Sequence, residues 1–186
     1  TLDGTLFPYT TLFRSYGAEP SPMPALEMLI AEMLAIHFCS DRDESVAVLD
    51  DLLGEVGRRV RAGAGTSPRG AARVFWVNPV ADLRMMNLLE ECGGRVCGTE
   101  YLFCHALDGI PEDVEPLEAL ARMALADPMT GPARDRAARI VRDCRRFGAE
   151  AVVISRIPGA SHCATEGAVI REAVRRELDR RQIELE

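Results

Sequence analysis

The spacing of apolar positions changes character partway along the chain. From Ala25 to His37, apolar residues (Leu26, Met28, Leu29, Ile30, Met33, Leu34) fall on most sides of a helical projection, which predicts a well-buried helix. A polar break, Ser40-Asp41-Arg42-Asp43-Glu44, supplies caps and acidic residues for the next helix start. Ser45 to Ala62 then sets Val46, Val48, Leu49, Leu52, Leu53, Val56 and Val60 at helical spacing. Gly63 to Gly70 is a Gly/Ser/Pro link and the best internal boundary. Beyond it, short apolar runs alternate with helical patterns. Arg73–Val77 reads as a strand, and Asp82 starts a helix, Leu83–Cys92, that ends at Gly93-Gly94. Arg95–Gly98 reads as a second strand ending in Thr99-Glu100. After a less regular stretch, Pro116 is placed as the first residue of a helix running to Leu125, and Asp127–Pro132 forms a turn. Arg134–Phe147 is a helix closed by Gly148. Ala151–Ser155, rich in β-branched residues, reads as a buried parallel strand. A loop with Pro158, Gly159 and the pair His162-Cys163 follows. Thr165 or Ser161 can then cap a helix that carries Val169, Ile170, Ala173, Val174 and Leu178 and reaches Arg180. Gln182–Glu186 is a last strand.

This order predicts an α/β fold: a doubly wound, mostly parallel four-stranded sheet in the flavodoxin-like order 2-1-3-4, preceded by two helices. Three regions are expected: a foreign or irregular segment at 1–15, a leading helical segment at 16–70, and an α/β domain at 71–186. In open α/β sheets, ligands sit beyond the carboxyl ends of the strands, where strand order reverses. Asn78-Pro79 and the loop from Ile157 to Cys163 then line one crevice, with Glu100 at the neighbouring strand end.

Composition narrows the chemistry. The chain has 186 residues, 47% of them hydrophobic, enough for a real core. The formal net charge of −7 gives no electrostatic reason to expect nucleic acid or an anionic membrane as partner. No apolar run approaches the roughly 18 residues of a membrane span, and no signal peptide is visible. All 22 basic residues are Arg, which excludes a P-loop lysine and a Schiff base. The six cysteines contain no Cys-x-x-Cys pair, so a zinc ribbon or thioredoxin motif is excluded. In a chain of this length they suggest a reducing compartment, hence the cytoplasm.

Several residues have plain structural readings. Cys39, Cys92 and Cys144 fall at apolar helix positions and read as small buried hydrophobes. Cys97, Cys104 and His105 read as packing residues, and Trp76 as core. Arg156 is placed either to meet a phosphate or to pair with a carboxylate. Leu2-Asp3-Gly4-Thr5-Leu6 imitates the Asp-x-Asp-Gly-Thr signature of haloacid-dehalogenase-like phosphatases, but Thr1 stands where the nucleophilic Asp belongs and no Lys follows. The run Phe7–Ser15 resembles translated sequencing adapter, and the chain opens on Thr rather than Met, so it is expected to begin as a fragment. The last strand lacks a covering helix, which suggests truncation there too. A flavin or nucleotide module is disfavoured because Asn78-Pro79 replaces a Gly-rich turn after the first strand.

From about Ala25 onward the chain resembles the C-terminal domain of a subunit of the 2-hydroxyacyl-CoA dehydratase and benzoyl-CoA reductase family. The resemblance rests on Asp41-Arg42-Asp43-Glu44, Asn78-Pro79-Val80-Ala81-Asp82-Leu83, Gly98-Thr99-Glu100, Pro116-Leu117-Glu118-Ala119-Leu120-Ala121-Arg122, Phe147–Val153 and the loop to Cys163, in that order. It implies subunits of two α/β domains with a [4Fe-4S] cluster between them, one ligand coming from the loop at Pro158–Cys163. It also implies a related sister subunit, an ATP-hydrolysing activator that injects an electron, and an acyl-CoA substrate dehydrated through a ketyl radical. Cys163 is the metal-ligand candidate, Asn78 and Glu100 border the crevice, and His162 is placed to hydrogen-bond a cluster sulfide or a thioester carbonyl. The family's usual loop has a Cys nearer Ala160. The alternatives are therefore a benzoyl-CoA reductase-type ring reduction, or a cluster-free relative acting as a binding or scaffold subunit. One thiolate cannot hold a cluster, so this chain alone is expected to bind none.

Overall fold

The computed structural model describes residues 15–36, 41–80, 82–100, 110–127, 130–159, 165–178 and 181–185. The expected foreign segment therefore lies outside the described residues except for Ser15, and so do Cys39, Cys104, His105, His162 and Cys163.

The chain adopts the parallel α/β class expected from its sequence. Strands β1 (Ala72–Val77), β2 (Gly94–Glu100), β3 (Ala151–Ser155) and β4 (Arg181–Leu185) form a parallel sheet in the order β2-β1-β3-β4. Among the described residues six α-helices accompany it: α1 (Ala25–Ile36), α2 (Arg42–Ala62), α3 (Arg84–Glu91), α4 (Pro116–Ala126), α5 (Ala133–Phe147) and α6 (Gly167–Leu178).

The period-two alternation of side chains explains how the layers assemble. On β1, Val74 and Trp76 point to one face of the sheet, where they pack with Met28 and Leu29 of α1, Val56 of α2 and Met86 of α3. Phe75 and Val77 point to the other face, toward Ile140, Val141 and Cys144 of α5 and Ile170 and Val174 of α6. Burying each such aliphatic side chain contributes about 1.5–3 kcal/mol. Both faces of the central strands are therefore covered, and β1 and β3 carry the apolar runs Val74–Val77 and Ala151–Ile154. Trp76 is core, as its strand position implied.

The leading segment is tied to the sheet as well as packed on it. Arg95 of β2 is fully buried and donates from Nη1 to the carbonyls of Tyr16 (3.1 Å) and Ala18 (2.7 Å), and from Nη2 to Glu19 (2.7 Å). Ser15 and Tyr16 are themselves buried.

Several boundaries differ from the sequence expectation for local reasons. Helix α2 starts at Arg42, ahead of Ser45, because the Asp41 side chain accepts from the Glu44 amide at 3.0 Å and caps it there. Strand β2 begins at Gly94, one residue before the expected Arg95, and ends at Glu100 as expected, paired with Val77. The register slips between Val74 and Phe75, so that Cys97 is an extra residue on β2. Both Val96 and Cys97 are thereby buried, in opposite core layers. Gly98 follows where the Phe75 and Phe147 rings close in: a Cβ there would stand 2.8 Å from each. Cys92, expected as a buried hydrophobe, is exposed, because α3 ends at Glu91 and leaves it in the turn before β2. Ile30 is exposed too, so α1 is less completely wrapped than its all-round apolar pattern suggested.

Candidate functional site

The carboxyl ends of β1, β2 and β3 meet at a buried polar cluster. Asn78 follows β1 with φ 71°, a left-handed conformation that Asn tolerates better than most side chains. Its amide donates to the carbonyl of Glu100 at 2.9 Å, and its Nδ2 donates to the carbonyl of Ser155 at 2.7 Å. One residue thus joins the ends of three strands. Asn78 and Glu100 do border one strand-end region, beside the start of the loop after β3.

The residue that organises this cluster is Arg136, on the inward face of α5 and 3% exposed. Its Nε and Nη2 grip the two oxygens of Glu100, each at 2.8 Å, in the two-pronged geometry that suits guanidinium and carboxylate. Nη2 also donates to Asn78 Oδ1 at 2.5 Å, and Nη1 donates to Glu166 at 2.8 Å. Glu166 lies just before α6 and keeps a quarter of its side chain exposed. Burial pushes the Glu100 carboxyl upward, while the Arg136 guanidinium works against that shift. Burial alone would draw Arg136 down, but the contacts with Glu100 and Glu166 outweigh it and hold the guanidinium charged. Two carboxylates thus face one cation, and the Arg136 donors are engaged within the chain. The cluster is suited to fixing the strand ends; Arg136 is not poised to take a phosphate.

Arg136 escaped the sequence reading, although a signal was present. It stands four residues before Ile140 and eight before Cys144, on the apolar stripe of α5. An Arg on such a stripe requires a buried acceptor, and Glu100 at a strand end is the natural one. Arg156, at the end of β3, is engaged in a contact within the chain.

The described residues do not supply a site for an iron–sulfur cluster. Among them no group of three or more His, Cys, Asp or Glu is placed to hold a metal ion. Cys97 of β2 and Cys144 of α5 lie in the same core layer, where burial pushes the Cys97 thiol up to about 12 and the Cys144 thiol up as well. Such thiols are poor ligands. Cys92 sits before β2, at the opposite edge of the sheet from Asn78 and Glu100. No described helix is long and apolar enough to cross a membrane.

A family model described as 2-hydroxyglutaryl-CoA dehydratase, D-component, matches residues 9–186, nearly the whole chain. No curated protein matches the sequence.

Proposed function

Because the chain belongs to the 2-hydroxyglutaryl-CoA dehydratase D-component family, we propose that it serves a lyase that removes water from a 2-hydroxyacyl-CoA thioester. The family match across 9–186 carries this reading. The strand-end cluster supports it, since Asn78, Glu100 and Arg136 fix the carboxyl ends of the strands, the edge at which open α/β sheets place their ligands. The flavodoxin-like ordering of four strands belongs to the same reading, because it sets Asn78 beside Ser155.

In this proposal Cys163 gives one thiolate to a [4Fe-4S] cluster of the full-length subunit, the other ligands coming from outside the described residues. His162 hydrogen-bonds the thioester carbonyl or a cluster sulfide. Asn78 and Glu100, the crevice candidates, set the strand ends beneath the substrate. A related sister subunit completes the site, and an ATP-hydrolysing activator supplies the electron that starts the elimination. Loss of the 2-hydroxyl and a neighbouring proton leaves an enoyl thioester, so the net reaction consumes no electrons. The cytoplasm is the compartment where such a cluster and its reduced thiols persist.

Ala160, where the family's loop usually has Cys, favours a second reading: a cluster-free relative that binds or scaffolds. The full-length subunit, purified without oxygen with its sister subunit, separates the two. The first reading expects bound iron, dehydration driven by activator and ATP, and loss of both iron and electron acceptance in Cys163→Ala. Iron-free wild-type protein, or iron and turnover unchanged by Cys163→Ala, would overturn Cys163 as ligand. Ring reduction of an aromatic acyl-CoA in place of dehydration would move the chain to the benzoyl-CoA reductase branch.

A further inference from the structure

Helix α4 and the groove between α5 and α6 are complementary surfaces that the chain does not join to each other. On α4, Leu117, Leu120 and Leu125 are 78%, 50% and 72% exposed. With Ala121 and Ala124 they follow the i, i+3/i+4, i+7/i+8 spacing of a helix face made to be buried. Only Ala119 of this helix is buried, and among the described residues α4 packs substantially on no other element. The apolar face is thus the outward one, an arrangement that marks an interaction surface.

The groove runs between the outer sides of α5 and α6 and encloses about 540 Å³. Small residues line it, among them Ala137, Ala138, Ala168 and Ala173. A trough of alanines between two helices accepts leucine side chains from a third. Charge agrees with shape. The groove is lined by Arg134, Arg145 and Arg176 against Glu172 and Glu177, a net positive lining in which Arg145 and Arg176 share Glu177. The α4 segment and its lead-in carry Glu112, Asp113, Glu115, Glu118 and Asp127 against Arg122 alone.

We propose that α4 of one copy of this chain seats in the α5–α6 groove of a second copy, and the second copy's α4 in the groove of the first. Thr130 ties the start of the α5 lead-in back onto the end of α4, donating from its amide to the Asp127 carbonyl at 2.9 Å and from Oγ1 to the Ala124 carbonyl at 3.0 Å. Ridge and groove on one chain, used reciprocally, give a closed twofold pair with two equivalent contacts.

The test is self-association of the whole chain, followed by sedimentation equilibrium across about a hundredfold range of concentration. Wild type is expected to dimerise. Leu117→Asp with Leu125→Asp (helix variant) and Ala138→Glu with Val169→Glu (groove variant) should each weaken association by about tenfold or more. All four positions are exposed, so circular dichroism and the thermal midpoint should stay unchanged and mark the loss as one of contact. Mixing the two variants restores one intact helix-in-groove contact per pair, so heterodimers should form more tightly than either variant self-associates. A wild-type monomer at every concentration would overturn the proposal. It would leave α4 to its own groove or to a different partner. A dimer that survives both variants, or a mixture no tighter than its components, would overturn it as well.

Discussion

A guanidinium withdrawn from water is stable only where acceptors take up its donors, and Arg136 finds them in Glu100, Glu166 and Asn78. Arg136→Met would leave the Glu100 carboxylate buried without its cation. A loss of about 3–5 kcal/mol is expected, read from the urea midpoint by the fluorescence of Trp76, the chain's single tryptophan. Arg136→Lys keeps the charge but not the two-pronged grip and should fall between. A midpoint unchanged in Arg136→Met would mean the strand ends hold without it. Glu32 presents the opposite case. It lies wholly buried on α1 with one contact, from Thr99 Oγ1 at 3.4 Å, and its Oε2 has no partner. Burial raises its pKa well above 4.5, with the Thr99 contact opposing. The folded chain therefore keeps a proton that the unfolded chain releases near pH 4.5. Stability is fully present below that pH and falls as pH rises toward the folded value. Glu32→Gln keeps the neutral shape without the proton. Its thermal midpoint should fall less than that of wild type as pH rises above about 5. Parallel pH profiles for the two proteins would refute the assignment.

At the scale of elements, end chemistry decided what periodicity left open. The spacing of Leu49, Leu52, Leu53 and Val56 announces α2, but the Asp41 side chain sets where it begins. Gly63, in the left-handed conformation with φ 61°, sets where it stops. Asp41→Ala should cost about 1 kcal/mol, seen as a lower urea midpoint with the slope unchanged. No change would mean that Ser45, whose hydroxyl donates to the Asp41 carbonyl at 2.8 Å, is enough to start the helix. Strand β2 depends on its neighbour. Its polar end, Thr99-Glu100, has no apolar pattern of its own and is held as strand by pairing with Trp76 and Val77. The extra residue at Cys97 carries no local sign either, because it arises from the fit of β2 to β1.

For the whole molecule, the core does not respect the Gly63–Gly70 link. Met28, Val56, Trp76, Val96 and Val153 belong to one packed cluster, so the leading segment is the cover of one sheet face. A piece beginning at residue 71 should therefore expose Val74, Trp76 and Val96, bind a hydrophobic dye and lack a cooperative thermal transition. A cooperative transition in that piece would make 71–186 an independent domain. What the sequence determined by itself was the set of elements and their parallel α/β class, because a period of two or of 3.6 is a property of neighbours along the chain. It also placed Asn78 and Glu100 together, since parallel strands deliver their ends to one edge. The tertiary structure alone decided that Arg136, distant from both in sequence, would bind them, and that α4 would turn its leucines outward. Those outcomes depend on which surfaces meet in space, and burial, unlike periodicity, is a property of the assembled chain.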